Sequence, residues 1–243
     1  MGKKRLDLIL VERGLEETRS RAQARIMAGD VVVGEHRADK PGQLVAEDAP
    51  IRLKSNSIPY VSRGGLKLEA ALKAWPTPVQ GAICIDVGAS TGGFTDVLLQ
   101  NGAAQVYAVD VGRNQLAYSL RQDPRVRVYE KTHILRVEPG TFEPKPNIAV
   151  VDVSFISLTK VLPVLEQHLQ KPAWIYALIK PQFEVGPRHV EKGGIVRDMS
   201  AREAARDNIL TLGESLGFKL IGWQESPIQG TDGNVEYLAC FKL

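Results

Sequence analysis

Nearly continuous apolar segments recur along the last two thirds of this 243-residue chain. A strand with one face in water alternates apolar and polar residues, whereas a continuous apolar run is typical of a strand buried on both faces. Stretches with helical periodicity separate several of these segments, which predicts a mostly parallel, doubly wound α/β sheet. The predicted strands are Ile83–Val87, Val106–Val109, Ile148–Val153 and Ile175–Ile179, and the predicted helices are Gly65–Ala74, Gly93–Asn101, Leu158–Leu169 and Ser200–Leu216.

The sheet is predicted to end differently. Lys219–Gln224 and Val235–Leu243 flank a glycine-rich loop with no room for the crossover helix that joins parallel strands. These two strands must therefore pair antiparallel. Ser200 and Glu203 form a Ser-x-x-Glu capping box, which predicts Ser200 as the cap of the last helix.

The first sixty residues follow another pattern. Helices are predicted over Arg5–Gly14 and from Thr18 or Ser20 to Gly29. Short strands are predicted at Val31–Val33, Gln43–Val45 and Ile51–Leu53. Residues 54–63 show little periodicity, which is typical of a domain junction. We therefore expect a small α+β domain over residues 1–58, a linker over residues 59–63 and the α/β domain over residues 64–243.

Composition restricts the class of protein. No apolar stretch approaches the length of a transmembrane helix, so we expect no membrane partner. The two cysteines, Cys84 and Cys240, match no metal-ligand spacing, which indicates a reducing cytoplasm and no metal. The net charge of +3 permits a polyanionic partner, and seven Lys and Arg residues fall within the first 25 positions.

The strand that ends at Val87 leads through a glycine-rich loop into a helix. It reads Ile83-Cys-Ile-Asp-Val-Gly-Ala-Ser-Thr-Gly-Gly-Phe94. Ligands of such sheets bind beyond the carboxyl ends of the strands, where glycines let backbone amides approach. The loop lacks the lysine of a phosphate-binding P-loop and the Gly-x-Gly-x-x-Gly spacing of a dinucleotide site. Asp86, just before the first glycine, suits a ligand with an ammonium and a sulfonium better than a pyrophosphate.

The next strand ends at Asp110, about twenty residues beyond the glycines, where a carboxylate can bind both hydroxyls of a ribose. The alternative, that the glycines form only a tight turn and Asp110 caps a loop, leaves Asp86 unexplained. The pattern therefore favours S-adenosylmethionine as cofactor. The candidate cofactor-binding residues are Asp86, Gly88, Ala89, Ser90, Gly92, Gly93, Phe94, Asp110 and Val111.

Motifs along nearly the whole chain resemble the TlyA branch of the FtsJ-like RNA methyltransferases, whose members were first described as haemolysins. The matching stretches begin at Val61 (VSRGGLKL), at Asp86 (the glycine loop), at Val151 (VDVSFIS), at Leu178 (LIKPQFE) and at Asn234 (NVEY). The resemblance implies a Rossmann-like class I methyltransferase sheet behind a small alpha-L, S4-type RNA-binding domain. It also implies 2′-O-ribose methylation of cytidine in ribosomal RNA, with ribosomal subunits as partners. The Lys-Asp-Lys-Glu catalytic tetrad of the family falls on Lys67, Asp152, Lys180 and Glu236.

The chemistry of these residue types agrees with that implication. Asp152 and Lys180 end predicted strands at the edge of the glycine loop, where a buried charge is costly unless it is paired or used. A ribose hydroxyl must lose its proton as it attacks the methyl group, and we assign Lys180 as the base that removes this proton. Desolvation and the second cation, Lys67, would favour the neutral amine. We expect Asp152 to orient Lys180, and Lys67 and Glu236 to hold the hydroxyl. Each lysine alone is better explained by a salt bridge, and only the set of four favours catalysis.

Cations predicted to contact RNA lie mainly in the first domain. Aromatic residues are absent from the first 59 positions, so we expect that domain to recognise folded RNA rather than unpaired bases. Phe183–Asp198, directly after Lys180, contains glycines and cations and is predicted to be a mobile loop that closes on RNA. His133 stands where the family commonly has an Asn near the adenine, and its role stays open. The predicted RNA-binding residues are Lys4, Arg5, Arg19, Arg21, Arg25, Arg63 and Arg188.

Other functions remain as alternatives. A non-catalytic RNA-binding or ribosome-assembly factor would have no use for Asp152 and Lys180 in a cleft. A membrane-active haemolysin would need an exposed amphipathic helix or a spanning segment, and neither is visible. Base methylation usually employs an Asn/Asp-Pro-Pro-aromatic run, which the sequence after Val151 is not. The sequence names neither the nucleotide nor the ribosomal subunit, and the oligomeric state stays open.

Overall fold

The computed structural model describes residues 2–27, 29–53, 58–230 and 233–243. The chain forms two compact units, Met1–Ile58 and Pro59–Leu243. The boundary between them, after Ile58, falls within the predicted junction at residues 54–63. Residues 54–57 of that junction lie outside the described residues. None of the helices in the described ranges is long and apolar enough to cross a membrane.

The N-terminal unit packs two helices against short antiparallel strands. Strand β2 lies at the centre of a sheet with the order β3-β2-β5, and β1 pairs antiparallel with β4. Leu6, Leu10, Ile26 and Val31 are fully buried in the core between them. Strands β1 and β3 were not predicted, because they are short, polar and without alternation. The elements are β1 Lys3–Arg5, α1 Leu6–Glu12, α2 Arg19–Met27, β2 Val31–Val33, β3 His36–Ala38, β4 Leu44–Ala46 and β5 Ile51–Leu53.

The larger unit contains a sheet that is seven-stranded within the described residues. Its elements are α3 Gly65–Ala74, β6 Ile83–Val87, α4 Gly93–Gln100, β7 Gln105–Val109, α5 Tyr118–Arg121, β8 Val126–Tyr129, β9 Ile148–Val151, α6 Leu158–Leu165, β10 Trp174–Ile179, α7 Pro181–Glu184, α8 Met199–Ser215, β11 Lys219–Glu225 and β12 Tyr237–Lys242. The strand order is β11-β12-β10-β9-β6-β7-β8. Strand β12 runs antiparallel to both of its neighbours, and the other neighbouring pairs are parallel. The predicted Rossmann-like sheet with an antiparallel last strand is therefore confirmed.

The order of the strands positions the site. Strands β6, β9 and β10 are parallel neighbours, so their carboxyl ends meet at one edge of the sheet. Apolar side chains cover both faces: Leu162 and Ile209 belong to one core cluster, and Leu68 and Val97 belong to the other. This packing fixes the loops that follow the three strands.

One predicted helix cap was wrong. Helix α8 begins at Met199, and the carboxylate of Asp198 accepts hydrogen bonds from the backbone N–H groups of Ser200 and Ala201 at 2.9 and 3.3 Å. A carboxylate at this position also interacts favourably with the helix dipole, which a serine hydroxyl cannot do. Ser200 therefore lies inside the first turn rather than capping it.

Candidate active site

A cavity of about 510 Å³ opens at the carboxyl ends of β6, β9 and β10. The four residues predicted to be catalytic all line it: Lys67, Asp152, Lys180 and Glu236. Predicted residues of the glycine loop and one predicted RNA-binding residue line it as well: Gly88, Ala89, Ser90, Gly93, Phe94 and Arg63. Further lining residues were missed, because small and neutral side chains carry no signal for a site: Ser62, Gly64, Thr91, Ser154, Ile228, Gln229 and Gly230.

Lys67 and Glu236 form an ion pair, which we call the closed pair. Lys67 Nζ donates to Glu236 Oε2 at 2.5 Å, across 169 residues of sequence. The side chains are only 9% and 2% exposed. Lys67 lies in the first turn of α3, where a cation opposes the helix dipole, so the carboxylate supplies the compensation that the helix does not. Neither charge would be tolerated at this depth without the other.

Asp152 and Lys180 form the open pair. Lys180 Nζ lies 2.6 Å from Asp152 Oδ1, and it also donates to Ser154 Oγ at 3.0 Å. The side chains are 12% and 21% exposed for Lys180 and Asp152 respectively, so water and substrate can reach them more easily than the closed pair. The two residues follow the neighbouring strands β9 and β10, as the sequence indicates. Each of these two lysines is thus paired with its own carboxylate, and Lys67 does not act on Lys180 as an uncompensated cation.

Asp86, at the end of β6, is completely buried and does not itself line the cavity. Its Oδ2 accepts hydrogen bonds from the backbone N–H and the hydroxyl of Thr95, at 2.9 and 2.7 Å. Its Oδ1 has no hydrogen-bond partner among the described residues. Burial, together with the negative charges of Asp152 and Asp110, raises the pKa of Asp86 to about 7, against the hydrogen bonds from Thr95 that lower it. A buried acceptor without a partner fits a ligand that brings a donor or a positive charge.

The glycine loop leaves its backbone close to neighbouring strands. Gly88 has a φ of +90°, and a Cβ there would lie 2.2 Å from the carbonyl oxygen of Asp152. Only glycine therefore allows the loop to pass beside the open pair. Gly92, at φ +100°, similarly has no room for a Cβ beside Leu120.

Asp110 anchors the loop to the end of β7. Its Oδ2 accepts from the backbone N–H of Ser90 at 2.8 Å, and its Oδ1 accepts from that of Gly112 at 2.6 Å. Each carboxylate oxygen has a second lone pair, so Asp110 can still accept from ribose hydroxyls. Gly92, Asp110 and the exposed Val111 do not line the described cavity. Taken together, the glycine cradle, the free oxygen of Asp86 and the anchored Asp110 fit a nucleoside that carries an ammonium group.

Phe155 is an aromatic residue that sequence analysis missed as a site residue. It is 91% exposed, and its φ of +63° is unusual for a bulky residue. Its ring centroid lies 5.1 Å from that of Phe183, and Lys180 Nζ lies 6.0 Å from the Phe183 centroid. An exposed apolar ring is a surface suited to stacking on a flat ligand. The signal in the sequence was a large aromatic residue only three positions after Asp152.

The segment after Lys180 is attached at both ends. The Glu184 carboxylate accepts from the Leu158 N–H at 2.9 Å and from the Ser157 hydroxyl at 2.5 Å. Val196 is buried at the other end, whereas Arg188 between them is exposed. The predicted closure of this segment on RNA stays a prediction.

His133 caps a short 3₁₀ turn by accepting a hydrogen bond from the Leu135 N–H at 3.3 Å, and whether it contacts adenine stays open.

The predicted RNA-binding cations of the N-terminal unit are organised by carboxylates. Buried Asp7 accepts from Arg5 at 3.0 and 2.9 Å, from Arg19 at 3.0 Å and from Gln23 at 2.8 Å. The hydrogen bond from Arg5 contributes most to holding the pKa of Asp7 well below its usual range. Arg5 and Arg19 remain about half exposed, so their other N–H groups can reach a phosphate.

The other cations of this unit that were predicted to bind RNA also pair with carboxylates. Lys4 lies 2.6 Å from Glu12, and Arg21 pairs with Glu17 on the surface. Arg25 pairs with Glu16, and both side chains are largely buried. Arg25 is therefore the least accessible of the cations that the sequence assigns to RNA.

Comparisons with known proteins agree with this geometry. The sequence pattern of the FtsJ-like methyltransferases matches residues 60–243, and that of the S4 domain matches residues 4–51. The Bacillus subtilis protein YqxC is 52% identical over 97% of this chain and 84% of its own length. The Mycobacterium tuberculosis 16S/23S rRNA (cytidine-2′-O)-methyltransferase TlyA is 44% identical over 96% of this chain and 87% of its own length.

A solved structure has the same architecture throughout. A Streptococcus thermophilus protein described as a "Putative hemolysin" superposes with a TM-score of 0.77 at 46% identity. It covers 100% of this chain, and the match spans 89% of that protein. The chain therefore belongs to the FtsJ-like methyltransferase family, in the group that includes TlyA, and it carries an S4 domain in front of its catalytic unit.

Proposed function

We propose that this enzyme transfers a methyl group from S-adenosylmethionine to a ribose 2′-hydroxyl of ribosomal RNA, at cytidine. The observation that carries the proposal is the open pair, Asp152 and Lys180, which lies in the same cavity as the glycine loop. A purely RNA-binding protein would gain nothing from an amine and a carboxylate at that place. The similarity to the 16S/23S rRNA (cytidine-2′-O)-methyltransferase TlyA supports the choice of substrate.

The residues of the glycine loop would hold the cofactor. Asp86 would bind the ammonium group through its free Oδ1, and Asp110 would bind the ribose hydroxyls. The backbone of Gly88 and its neighbours would approach the cofactor closely. When bound, S-adenosylmethionine supplies an electrophilic methyl group, and the chain itself has to activate and align the oxygen that receives it.

Lys180 performs that activation in the proposed mechanism. The neutral amine of Lys180 would take the proton of the 2′-hydroxyl as that oxygen displaces the sulfur of S-adenosylhomocysteine, the leaving group, from the methyl carbon, and Lys180 would be left as an ammonium. Asp152 orients the amine and stabilises the charge that forms on it, since the two side chains already lie 2.6 Å apart. General-base catalysis of this kind contributes about 10²- to 10⁴-fold. The closed pair lines the same cavity and would hold the ribose in place.

RNA would be bound by charge and by stacking. Arg5, Arg19 and Arg21 of the S4 domain would contact phosphates, which provides affinity without sequence information. Phe155 would stack on an unpaired base, since its exposed ring lies beside Phe183, whose ring centroid is 6.0 Å from Lys180 Nζ. Because the substrate is ribosomal RNA, the proposal places the enzyme in the cytoplasm.

The test is transfer of labelled methyl from S-adenosylmethionine to isolated small and large ribosomal subunits. Nuclease digestion and mass spectrometry then identify the product nucleoside. Wild type is compared with Lys180→Ala and with the control Lys160→Ala, which changes an exposed lysine on α6. We expect 2′-O-methylcytidine from wild type and from the control only. Methylation of a base, or full activity in Lys180→Ala, would contradict the proposal.

A further inference from the structure

Asn234 is a buried residue two positions before Glu236 whose side chain bonds to another part of the chain. Its Oδ1 accepts from the backbone N–H of Val196 at 2.9 Å, and its Nδ2 donates to the carbonyl of Gly194 at 2.8 Å. Both ends of the amide are therefore used on residues 194–196. These belong to the segment that begins directly after Lys180 and ends at the cap of α8.

The backbone of Asn234 bonds to a different part of the chain from its side chain. Its carbonyl accepts from the N–H of Gly230 at 2.9 Å, and the carbonyl of Glu236 accepts from the N–H of Ser226 at 2.9 Å. Gly230 lines the cavity, and a Cβ there would lie 2.5 Å from Glu236 Oε1. Gly230, which bonds to the backbone of Asn234, thus lies directly against the carboxylate of the closed pair.

We propose that Asn234 is a positioning residue, which fixes the segment following Lys180 to the peptide that carries Glu236. The two lysine–carboxylate pairs come from distant parts of the chain, and Asn234 is a direct hydrogen-bonded connection between those parts. Through these hydrogen bonds, Glu236 stays opposite Lys67 and the segment after Lys180 keeps its position. The inference rests on the proposed function only for the meaning of its kinetic measurements.

The side chain has to be an amide for this role. Alanine would leave the N–H of Val196 and the carbonyl of Gly194 without their side-chain partner, and an unpaired buried polar group is costly. Aspartate would keep the acceptor for Val196 but would lose the donor for Gly194. Asn234→Asp therefore removes one of the two connections with little change in volume.

The experiment compares Asn234→Ala and Asn234→Asp with a matched control, Asn147→Ala. Asn147 also accepts a hydrogen bond from a backbone N–H, that of Ile83 at 3.2 Å, but it lies at the amino end of β9, away from the cavity. For each variant we would measure kcat and KM with ribosomal subunits, the Kd for S-adenosylmethionine by calorimetry, and hydrogen exchange by mass spectrometry.

We expect both Asn234 variants to lower kcat by about tenfold or more, with the cofactor Kd within about twofold of wild type. Hydrogen exchange should become faster both in peptides covering residues 190–198 and in those covering 226–238. Asn147→Ala should change neither kcat nor exchange in these two regions. In a Glu236→Gln background, Asn234→Asp should lower kcat much less than in wild type, because the two residues act on the same element.

Faster exchange confined to residues 190–198 would overturn the inference, since the connection would then not reach Glu236. An unchanged kcat in both variants would also overturn it. Should Asn234→Ala fail to fold, the milder Asn234→Asp gives the same comparison. Should wild type methylate neither ribosomal subunit, the proposed function fails, and the exchange pattern still decides the inference.

Discussion

The closed and open pairs share one composition, a lysine and a carboxylate, but differ in burial. Lys67 and Glu236 are almost completely removed from water, whereas Asp152 and Lys180 retain partial access to it. A deeply buried pair is held by mutual compensation, and removing one partner leaves an unsatisfied charge. A partly exposed pair can exchange a proton or accept a new partner at lower cost. This difference in burial predicts a structural role for the closed pair and a chemical role for the open pair.

The largest expected effect is on catalysis at the open pair. Lys180→Met removes the amine that takes the hydroxyl proton, and it should lower the single-turnover rate of methyl transfer by about 10²- to 10⁴-fold. The free energy of unfolding in urea should change less than for the same substitution at Lys67. A Lys180→Met enzyme that retained its methyl-transfer rate would remove the distinction between the two pairs.

The next effect is on stability at the closed pair. Lys67→Met leaves the Glu236 carboxylate buried without its counter-charge, which should cost about 3–5 kcal/mol of unfolding free energy. The double variant Lys67→Met/Glu236→Leu should recover most of that loss while methyl transfer stays impaired. Urea denaturation monitored by circular dichroism measures both variants. A loss in Lys67→Met no larger than in Lys180→Met would contradict the assignment of a structural role.

Asp86 extends the comparison to a carboxylate that no ion pair holds among the described residues. The unfolded chain releases this proton near pH 4, whereas the folded chain keeps it until the pKa of about 7. The folded state therefore binds more protons between these values, and stability falls as the pH rises. Relative to Asp86→Asn, the wild-type unfolding free energy should fall by up to about 1.4 kcal/mol per pH unit.

Urea unfolding of the two cofactor-free proteins between pH 4.5 and pH 8 measures this difference. It should level off above about pH 7, where the folded chain is also ionised. A difference that does not vary with pH would show that Asp86 does not titrate in this range.

The smallest expected effect concerns substrate binding beside the open pair. Phe155→Ala removes an exposed ring, so the unfolding free energy should stay within about 0.5 kcal/mol. The KM for RNA should rise about tenfold, since stacking on one base contributes about 1–3 kcal/mol. Tyr118→Ala, at another exposed aromatic residue, is the control and should leave KM unchanged. Equal effects of the two substitutions would argue against a specific stacking role for Phe155.

Local pattern was sufficient to predict much of the fold. The bounds of β2, β5, α3 and β6 agree with the prediction residue for residue, because glycine, proline or polar residues stand at or within two positions of each end. The sequence pattern did not predict strands that form only because they pair with a distant part of the chain. The polar strand β1 exists because it pairs with β4, and no periodicity reveals such an interaction.

The residue types of the site could be predicted from the sequence, but its ion pairs and hydrogen bonds could not all be predicted. Asp152 and Lys180 were expected to be close, since both follow neighbouring parallel strands. The bond between Lys67 and Glu236 joins residues 169 positions apart, and no sequence spacing indicates it. Nor does spacing reveal that Asn234 bonds to Val196, because that contact depends on how two irregular segments pass each other.

Strand β12 follows every other strand of its sheet along the chain, yet it lies between β10 and β11. Strand β11 pairs with β12 and, within the described residues, with no other strand, so the outer edge of the sheet cannot assemble until residues 237–242 insert. The pairing of β12 with β10 brings together residues that are far apart in sequence, such as Ile179 and Tyr237, and pairings of this kind form slowly because a large loop must close first. Insertion of β12 also places the preceding Glu236 opposite Lys67. Completion of the sheet and placement of Glu236 within the predicted catalytic set therefore depend on the same pairing of β12.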